Sequence, residues 1–473
     1  MKIKIDNVSS KTIKPKDRIE KSDIVALKDA VATIQNTFKI ESKDYALLVK
    51  NLRAWTKSHE QKHIVNDVIH VAKEIRETFK PQAFVTIGIG GSDLGARTLH
   101  GALNHSQHNL LSPEERGGAP EVYFTGDTFD PSELYDILEA LEKRDLLLKT
   151  IYNVISKSGT TSETIAAFLT IKDVLERKLK EKGQKKEEYS QYIVATTGLT
   201  EKSTLFKLNE KQKIKFRGLL PVPDGVGGRF SFASPVGLLF LAVTTNVKHE
   251  SIEQRIASAI HGLRDAEACA YLDPLSPENV AANLAIVDLL AEKKHKGTLC
   301  FYPFSKKLRF IGDWYTQLST ESLQEKGQGQ NVVATCGPTG NHSILNGIIN
   351  GPKDKLIIFI KVDEYDRKKD FIIPKGSGIG GGLEVLEGKK FSFIQNASQL
   401  GTEINFTECG VPNVTISLPK IDTYAICKLM YTLECAVAFE GELRDIGRLT
   451  YEQAGVEGYK IETKRILNDA ASA

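Results

Sequence analysis

The spacing of apolar residues changes character near residue 84 of this chain. The first fifty positions are polar and helix-prone, with no clear strand. From residue 84, short β-branched runs alternate with amphipathic stretches of helical period. Strands are predicted at 84–89, 122–125, 150–156, 192–196 and 216–222, and helices at 132–143 and 162–179. Alternation of this kind predicts a parallel sheet with helices on both faces. The pattern then restarts. Ser276-Pro277 reads as an N-cap and first-turn pair opening a helix to about residue 293, followed by strands at 298–302, 332–335, 356–362 and 414–418. The expectation is an α/β protein of two doubly wound halves: an N-terminal helical segment (1–50), a first α/β domain (51–245), a second (246–440) and a helical tail (441–473). Residues 180–188 form a charge-rich connection and 375–382 a glycine-rich loop. No short solenoid period is evident.

Composition narrows the function. The 473 residues are 26% charged and 41% hydrophobic, ordinary for a soluble protein of two to four domains. Lys and Arg number 63 against 60 Asp and Glu, so there is no broad basic field for nucleic acid. Any bound anion must be caught locally. Six cysteines, Cys269, Cys300, Cys336, Cys409, Cys427 and Cys435, include no C-x-x-C pair and read as scattered thiols in a reducing compartment. The start, Met-Lys-Ile-Lys-Ile-Asp, has no apolar signal core. The most apolar stretch, 233–243, is shorter than the roughly 20 residues of a membrane span. A cytoplasmic location without membrane contact is therefore expected.

Two glycine- or hydroxyl-rich turns stand where a strand gives way to a helix. In SKSGTTSET (156–164), clustered hydroxyls meet the unpaired N–H groups of a helix start, a combination suited to a phosphate dianion. In GIGGSDLGAR (88–97), Asp93 stands where a dinucleotide fingerprint needs its third glycine. Both turns sit at strand C-termini, where open α/β sheets bind ligands, so they suggest one crevice. His59-Glu60-Gln61-Lys62-His63 spells a zinc-protease motif without a recognisable third ligand, and is read as coincidence. The loop at 376–381 spells G-x-G-x-x-G but lacks a following helix. Neither glycine run therefore supports a nicotinamide dehydrogenase. Taken singly, Arg229 in a glycine-lined turn, Glu321 on an amphipathic run and His342 after a strand are each unremarkable.

In this order, however, the pieces resemble the phosphoglucose isomerase family. DGVGGRFSFASPVG (224–237) matches one of its diagnostic signatures. GIGGSDLGAR, SKSGTTSET, the helix carrying Gln317 and Glu321, Asn341-His342-Ser343, and QAGVEGYK (453–460) are similar to its other motifs. The resemblance implies two sugar-isomerase (SIS) domains and reversible exchange of glucose 6-phosphate with fructose 6-phosphate, without metal or organic cofactor. It implies Glu321 as the base that moves a proton between C2 and C1, and Arg229 as the stabiliser of the enediolate. His342 and Lys460 would open the sugar ring. Ser156, Lys157, Ser158 and Thr161 would cradle the phosphate, Lys157 chiefly through its backbone N–H. Gly91, Ser92, Gln317 and Gln453 would line the sugar pocket. An obligate homodimer with shared active sites is implied too, His342 coming from the neighbouring subunit. Two places depart from the family pattern: the stretch after Ser322 lacks a glycine, and Asn341 stands where Gln is common. The competing readings are a sister isomerase acting on mannose 6-phosphate or an amino sugar, and a non-catalytic sugar-phosphate sensor. The presence of Glu321, Arg229, His342 and Lys460 together argues against the sensor, which needs none of them.

Overall fold

The computed structural model describes every residue except Ser377, Ile379, Ser472 and Ala473. Two five-stranded sheets organise it. The first contains β2 (Ala83–Ile87), β3 (Glu121–Thr125), β4 (Thr150–Ile155), β5 (Ile193–Thr197) and β6 (Gly218–Pro221), all parallel, in the order β3-β2-β4-β5-β6. The second contains β1 (Lys2–Lys4), β7 (Thr298–Pro303), β8 (Asn331–Ala334), β9 (Lys355–Val362) and β10 (Asn413–Leu418), in the order β1-β10-β9-β7-β8. Nine of the ten strands match the predicted runs to within two residues, because parallel strands covered on both faces read as continuous β-branched stretches.

Helices cover both faces of each sheet. Phe84, Val122, Ile151 and Val194 of the first sheet and Leu299, Phe301, Ile358 and Val414 of the second face one continuous core. Helices Val280–Lys293 and Thr423–Leu443 run through it, buried on nearly every side, which is why their sequences lack a polar stripe. The opposite face of the first sheet packs on helices Pro131–Lys143 and Ser162–Glu181, through Ile137, Leu141, Phe168 and Leu175. Among the described residues, no helix is long and apolar enough to cross a membrane.

Two expectations are corrected. The first fifty residues do contain a strand: β1 pairs antiparallel with β10, Ile3 opposite Ile416. Three residues with lysines on either side of one isoleucine carry too little periodicity to announce a strand. Its edge is closed by Ile3 N–H donating to Pro277 O at 2.9 Å, and Lys4 pairs with Glu403 at 2.6 Å. The second helical half begins later than Ser276-Pro277. Asn279 is its N-cap, accepting from Ala282 N–H at 3.1 Å, and the helix starts at Val280. Asn279 also donates to Leu272 O at 2.9 Å, so its amide closes the preceding turn as well. The loop at 376–381 leads only to the short 3₁₀ turn Leu383–Leu386, and two of its residues, Ser377 and Ile379, lie outside the described residues.

Because Ile3 is 5% exposed and forms the outermost rung of the second sheet, Ile3→Ala is expected to lower unfolding free energy by about 2 kcal/mol. Urea denaturation checks this; an unchanged midpoint would show that β1 frays from the sheet.

Candidate active site

In the first sheet the chain runs from β2 to β3 on one side and then crosses over to β4 on the other side of β2, so the strand order reverses between β2 and β4. Ligands bind outside the C-terminal ends of the strands at such a point. The glycine turn follows β2 and the hydroxyl-rich turn follows β4, so sheet topology alone makes them neighbours.

Gly91 sets how close the walls of this crevice come. A Cβ there would lie 2.1 Å from the carbonyl carbon and oxygen of Gly228, so the glycine turn and the arginine turn touch backbone to backbone. Ser231 Oγ reinforces the contact, donating to Gly228 O at 2.6 Å and Gly91 O at 3.3 Å. Arg229, in the 3₁₀ turn Gly228–Phe230, is only 1% exposed. Its Nε donates to Ser322 Oγ at 2.6 Å, Nη1 to Glu321 Oε2 at 3.3 Å, and Nη2 to the carbonyls of Thr450 and Glu452 at 2.7 and 3.0 Å. Burial draws its pKa down, and the Glu321 carboxylate opposes that shift. Aromatic packing holds the turn: Phe230 stacks on Trp55 at 5.0 Å, and Phe232 meets Trp314 edge-on at 5.8 Å.

Glu321 stands on helix Arg309–Leu323, whose Ile311, Trp314 and Leu318 form the buried stripe. One turn earlier, Gln317 reaches the same face and donates through Nε2 to Glu321 Oε1 at 3.1 Å. Gln453 donates to the other oxygen, also at 3.1 Å. The carboxylate is thus gripped on both oxygens by amides while its side chain stays 28% exposed, open to a reactant. A carboxylate so placed can accept and return a proton, and the guanidinium beside it can hold a developing oxyanion.

The hydroxyl-rich loop runs ahead of the 20-residue helix Ser162–Glu181. Ser156 Oγ and Thr161 Oγ1 lie 2.9 Å apart, as do Ser158 Oγ and Thr160 Oγ1 at 2.8 Å. Thr161, at the N-cap position, makes no side-chain capping bond, leaving the helix start for an anion. Gly159 has φ +65°, and a Cβ there would meet Leu205 N at 2.6 Å, so only glycine turns this tightly. Lys157 does more than offer its backbone: its Nζ donates to Val226 O at 3.0 Å, fastening the loop to the arginine turn.

Gly91, Gln317, Glu321, Arg229 and Gln453 therefore meet directly. The loop of Ser156, Lys157, Ser158 and Thr161 joins them through the lysine, and Ser92 follows Gly91 in the same turn. His342 does not join: it is exposed on the turn Thr339–His342 after β8, and among the described residues no hydrogen bond or ion pair links it to Glu321 or Arg229. The neighbouring Asn341 is a structural residue, bonded to Tyr302 Oη and Thr402 Oγ1. Lys460 is exposed on helix Glu457–Ala471.

Sequence reasoning missed the supports. Ser322 and the carbonyls of Thr450 and Glu452 carry no local signal of contact with Arg229. Asp93 is 2% exposed beside Ser92. Its carboxyl is pushed up to about 7 by burial, against the pull of Arg97, which in turn reaches Asp127 at 3.1 Å. The same residue breaks the dinucleotide fingerprint, which was the available clue. The apparent zinc-protease motif is split: His59 lies in the 3₁₀ segment Ala54–Glu60, and His63 is exposed on the next helix, Lys62–Lys73.

The family model of phosphoglucose isomerase matches residues 32–343. A glucose-6-phosphate isomerase of Carboxydothermus hydrogenoformans is 34% identical over 412 residues, covering 85% of this chain and 82% of that protein. Among solved structures, a hypothetical protein from Thermus thermophilus is 27% identical with a TM-score of 0.76, covering 94% of this chain and 96% of that one. A glucose-6-phosphate isomerase from Chlamydia trachomatis shares the fold at a TM-score of 0.71 and 18% identity, covering 97% and 88%.

Ser322→Ala would leave Arg229 Nε without its acceptor inside the protein. The expected cost is about 1–3 kcal/mol of stability, read from chemical denaturation; a loss below about 0.5 kcal/mol would mean that the guanidinium finds another partner.

Proposed function

This chain belongs to the phosphoglucose isomerase family and interconverts glucose 6-phosphate and fructose 6-phosphate; on that premise we propose the roles of its residues. The observation that carries the assignment is the Glu321 carboxylate, held by Gln317 and Gln453, next to a buried guanidinium. In the aldose-to-ketose direction, Glu321 takes the proton from C2 of the open-chain sugar and delivers it to C1. A proton moves from the C2 hydroxyl to the C1 oxygen, so the net change is internal to the substrate. Arg229 stabilises the enediolate oxygen. Its other N–H groups are occupied by Ser322, Thr450 and Glu452, so its position costs little reorganisation during the reaction. The Ser156–Ser158 hydroxyls, Thr161 and the backbone N–H of Lys157 bind the phosphate, and this remote grip positions the reacting carbons. Gly91 and Ser92 wall the sugar. In this reading residues 51–245 and 246–440 are the two units that meet at the crevice.

Ring opening is assigned to His342 and Lys460, with His342 supplied by a second copy of the chain. Its exposure, apart from Glu321, supports that arrangement. So do apolar side chains left uncovered in the second half, among them Phe371, Phe391, Phe393, Ile404 and Leu467. The six cysteines stand as free thiols, which supports a reducing, cytoplasmic location.

Three experiments test these roles. Glu321→Gln is expected to lower kcat by about 10²–10⁴-fold with little change in KM. In heavy water, proton NMR of the wild-type reaction should show deuterium entering at C2 of glucose 6-phosphate. Near-normal turnover of the variant would remove Glu321 as the base. Mixing inactive His342→Ala chains with inactive Glu321→Gln chains, after dissociation and reassociation, should restore activity, since one site of each mixed dimer is then intact. No recovery from a dimer shown by light scattering to have mixed would place His342 in its own chain's site or outside catalysis.

A further inference from the structure

Outside the isomerase crevice, a buried histidine, His59, packs its ring edge-on against Tyr431 at 5.5 Å. It is 1% exposed, yet neither Nδ1 nor Nε2 makes a hydrogen bond among the described residues. A neutral imidazole carries one donor and one acceptor, so both are desolvated without return, a cost that asks for a partner. What the ring faces is a pair of carboxylates. A ring nitrogen of His59 and carboxylate oxygens of Glu60 and Glu267 lie within 4.8 Å of one another. Glu267 comes from helix Ile252–Ala270, some two hundred residues away in the chain. The two carboxylates already share a cation, Lys57 Nζ, at 2.7 Å from Glu267 and 3.4 Å from Glu60.

We propose that His59, Glu60 and Glu267 form a site for a divalent cation of the Zn²⁺ type, entered by displacing the Lys57 ammonium. One imidazole and two carboxylates are a donor set for borderline metals, and water completes four-coordination. The ammonium marks where a positive charge sits between the carboxylates, and the metal adds the bond to His59 that an ammonium cannot make. Burial, with Lys57 and Arg264 nearby, lowers the His59 pKa to about 3, so the ring is in the neutral, ligating form at physiological pH. Glu60 is the exposed member and gives the ion its entry, while Lys57 is 18% exposed and can swing outward. The third ligand is thus Glu267 rather than His63, and the site owes nothing to the spacing of the apparent protease motif.

The test uses the full chain, stripped with chelator and titrated with Zn²⁺ by calorimetry, and with Co²⁺ by visible absorption. One ion per chain is expected in the micromolar range or tighter, with a Co²⁺ spectrum lacking thiolate charge transfer. Lys57→Met should bind more tightly by about tenfold, because a positive charge beside the ion is gone. Glu267→Gln, on a partly exposed helix position, should weaken binding at least tenfold while keeping isomerase activity, and His59→Gln should abolish it. Binding unchanged in Glu267→Gln, a thiolate spectrum, or no micromolar binding in either wild type or Lys57→Met would each overturn the proposal.

Discussion

A guanidinium 1% exposed cannot be left to water, and the chain meets that demand by bringing two distant segments to Arg229. Helix Arg309–Leu323 supplies Ser322 and Glu321, the turn at Gly447–Tyr451 supplies the Thr450 carbonyl, and the next residue, Glu452, supplies another. Breaking one of these bonds strands a buried charge, which costs more than the bond itself contributes. The crevice walls are therefore fixed by the group proposed to hold the charge of the enediolate. Because Ser322 adjoins Glu321, the anchor of the guanidinium and the carboxylate beside it stand on the same helix turn.

Backbone contact provides the second constraint. Gly91 and Gly228 approach so closely that no side chain fits between their turns, and this brings the C-terminal end of β2 against the arginine turn. The strand-order reversal then puts the hydroxyl-rich loop after β4 on the other flank. Lys157 closes the arrangement through Val226. The hydroxyl-rich loop is thus fastened to the turn that carries Arg229. On the proposed roles, a substrate held at its far end by this loop would lose its freedom before its reacting carbons reach Glu321, converting remote binding energy into rate.

The polar clusters differ in how well they are satisfied. The Arg229 guanidinium and the Glu321 carboxylate are each held by several hydrogen bonds, although Thr450 Oγ1 and Tyr451 Oη beside them are unpartnered among the described residues. Around His59 the ring nitrogens are unmet, while the neighbouring carboxylates share a lysine. The second sheet contributes structure more than chemistry in the single chain: β1 seals its edge, and Asn341 pins the His342 turn through Tyr302 and Thr402. That anchoring holds His342 outward.

Much of this molecule was legible in its sequence for a local reason. Parallel strands buried on both faces and helices with one apolar stripe leave patterns within ten or twenty residues, so β2 through β10 were placed closely. The motifs holding Arg229, Glu321 and the hydroxyl-rich loop were legible too, since each is contiguous. What escaped was non-local or too short to have a period. β1 is three residues long, and its strand character exists only opposite Ile416. The Arg229 anchor joins positions 93 and 221 residues apart, and Glu267 meets His59 only because helix Ile252–Ala270 packs beside the Ala54–Glu60 turn. The sequence by itself determined which elements form and which turns hold the candidate site residues. The tertiary structure decided which of those turns touch, because contacts between distant segments depend on how helices fill the space between two sheets, and no local pattern encodes that.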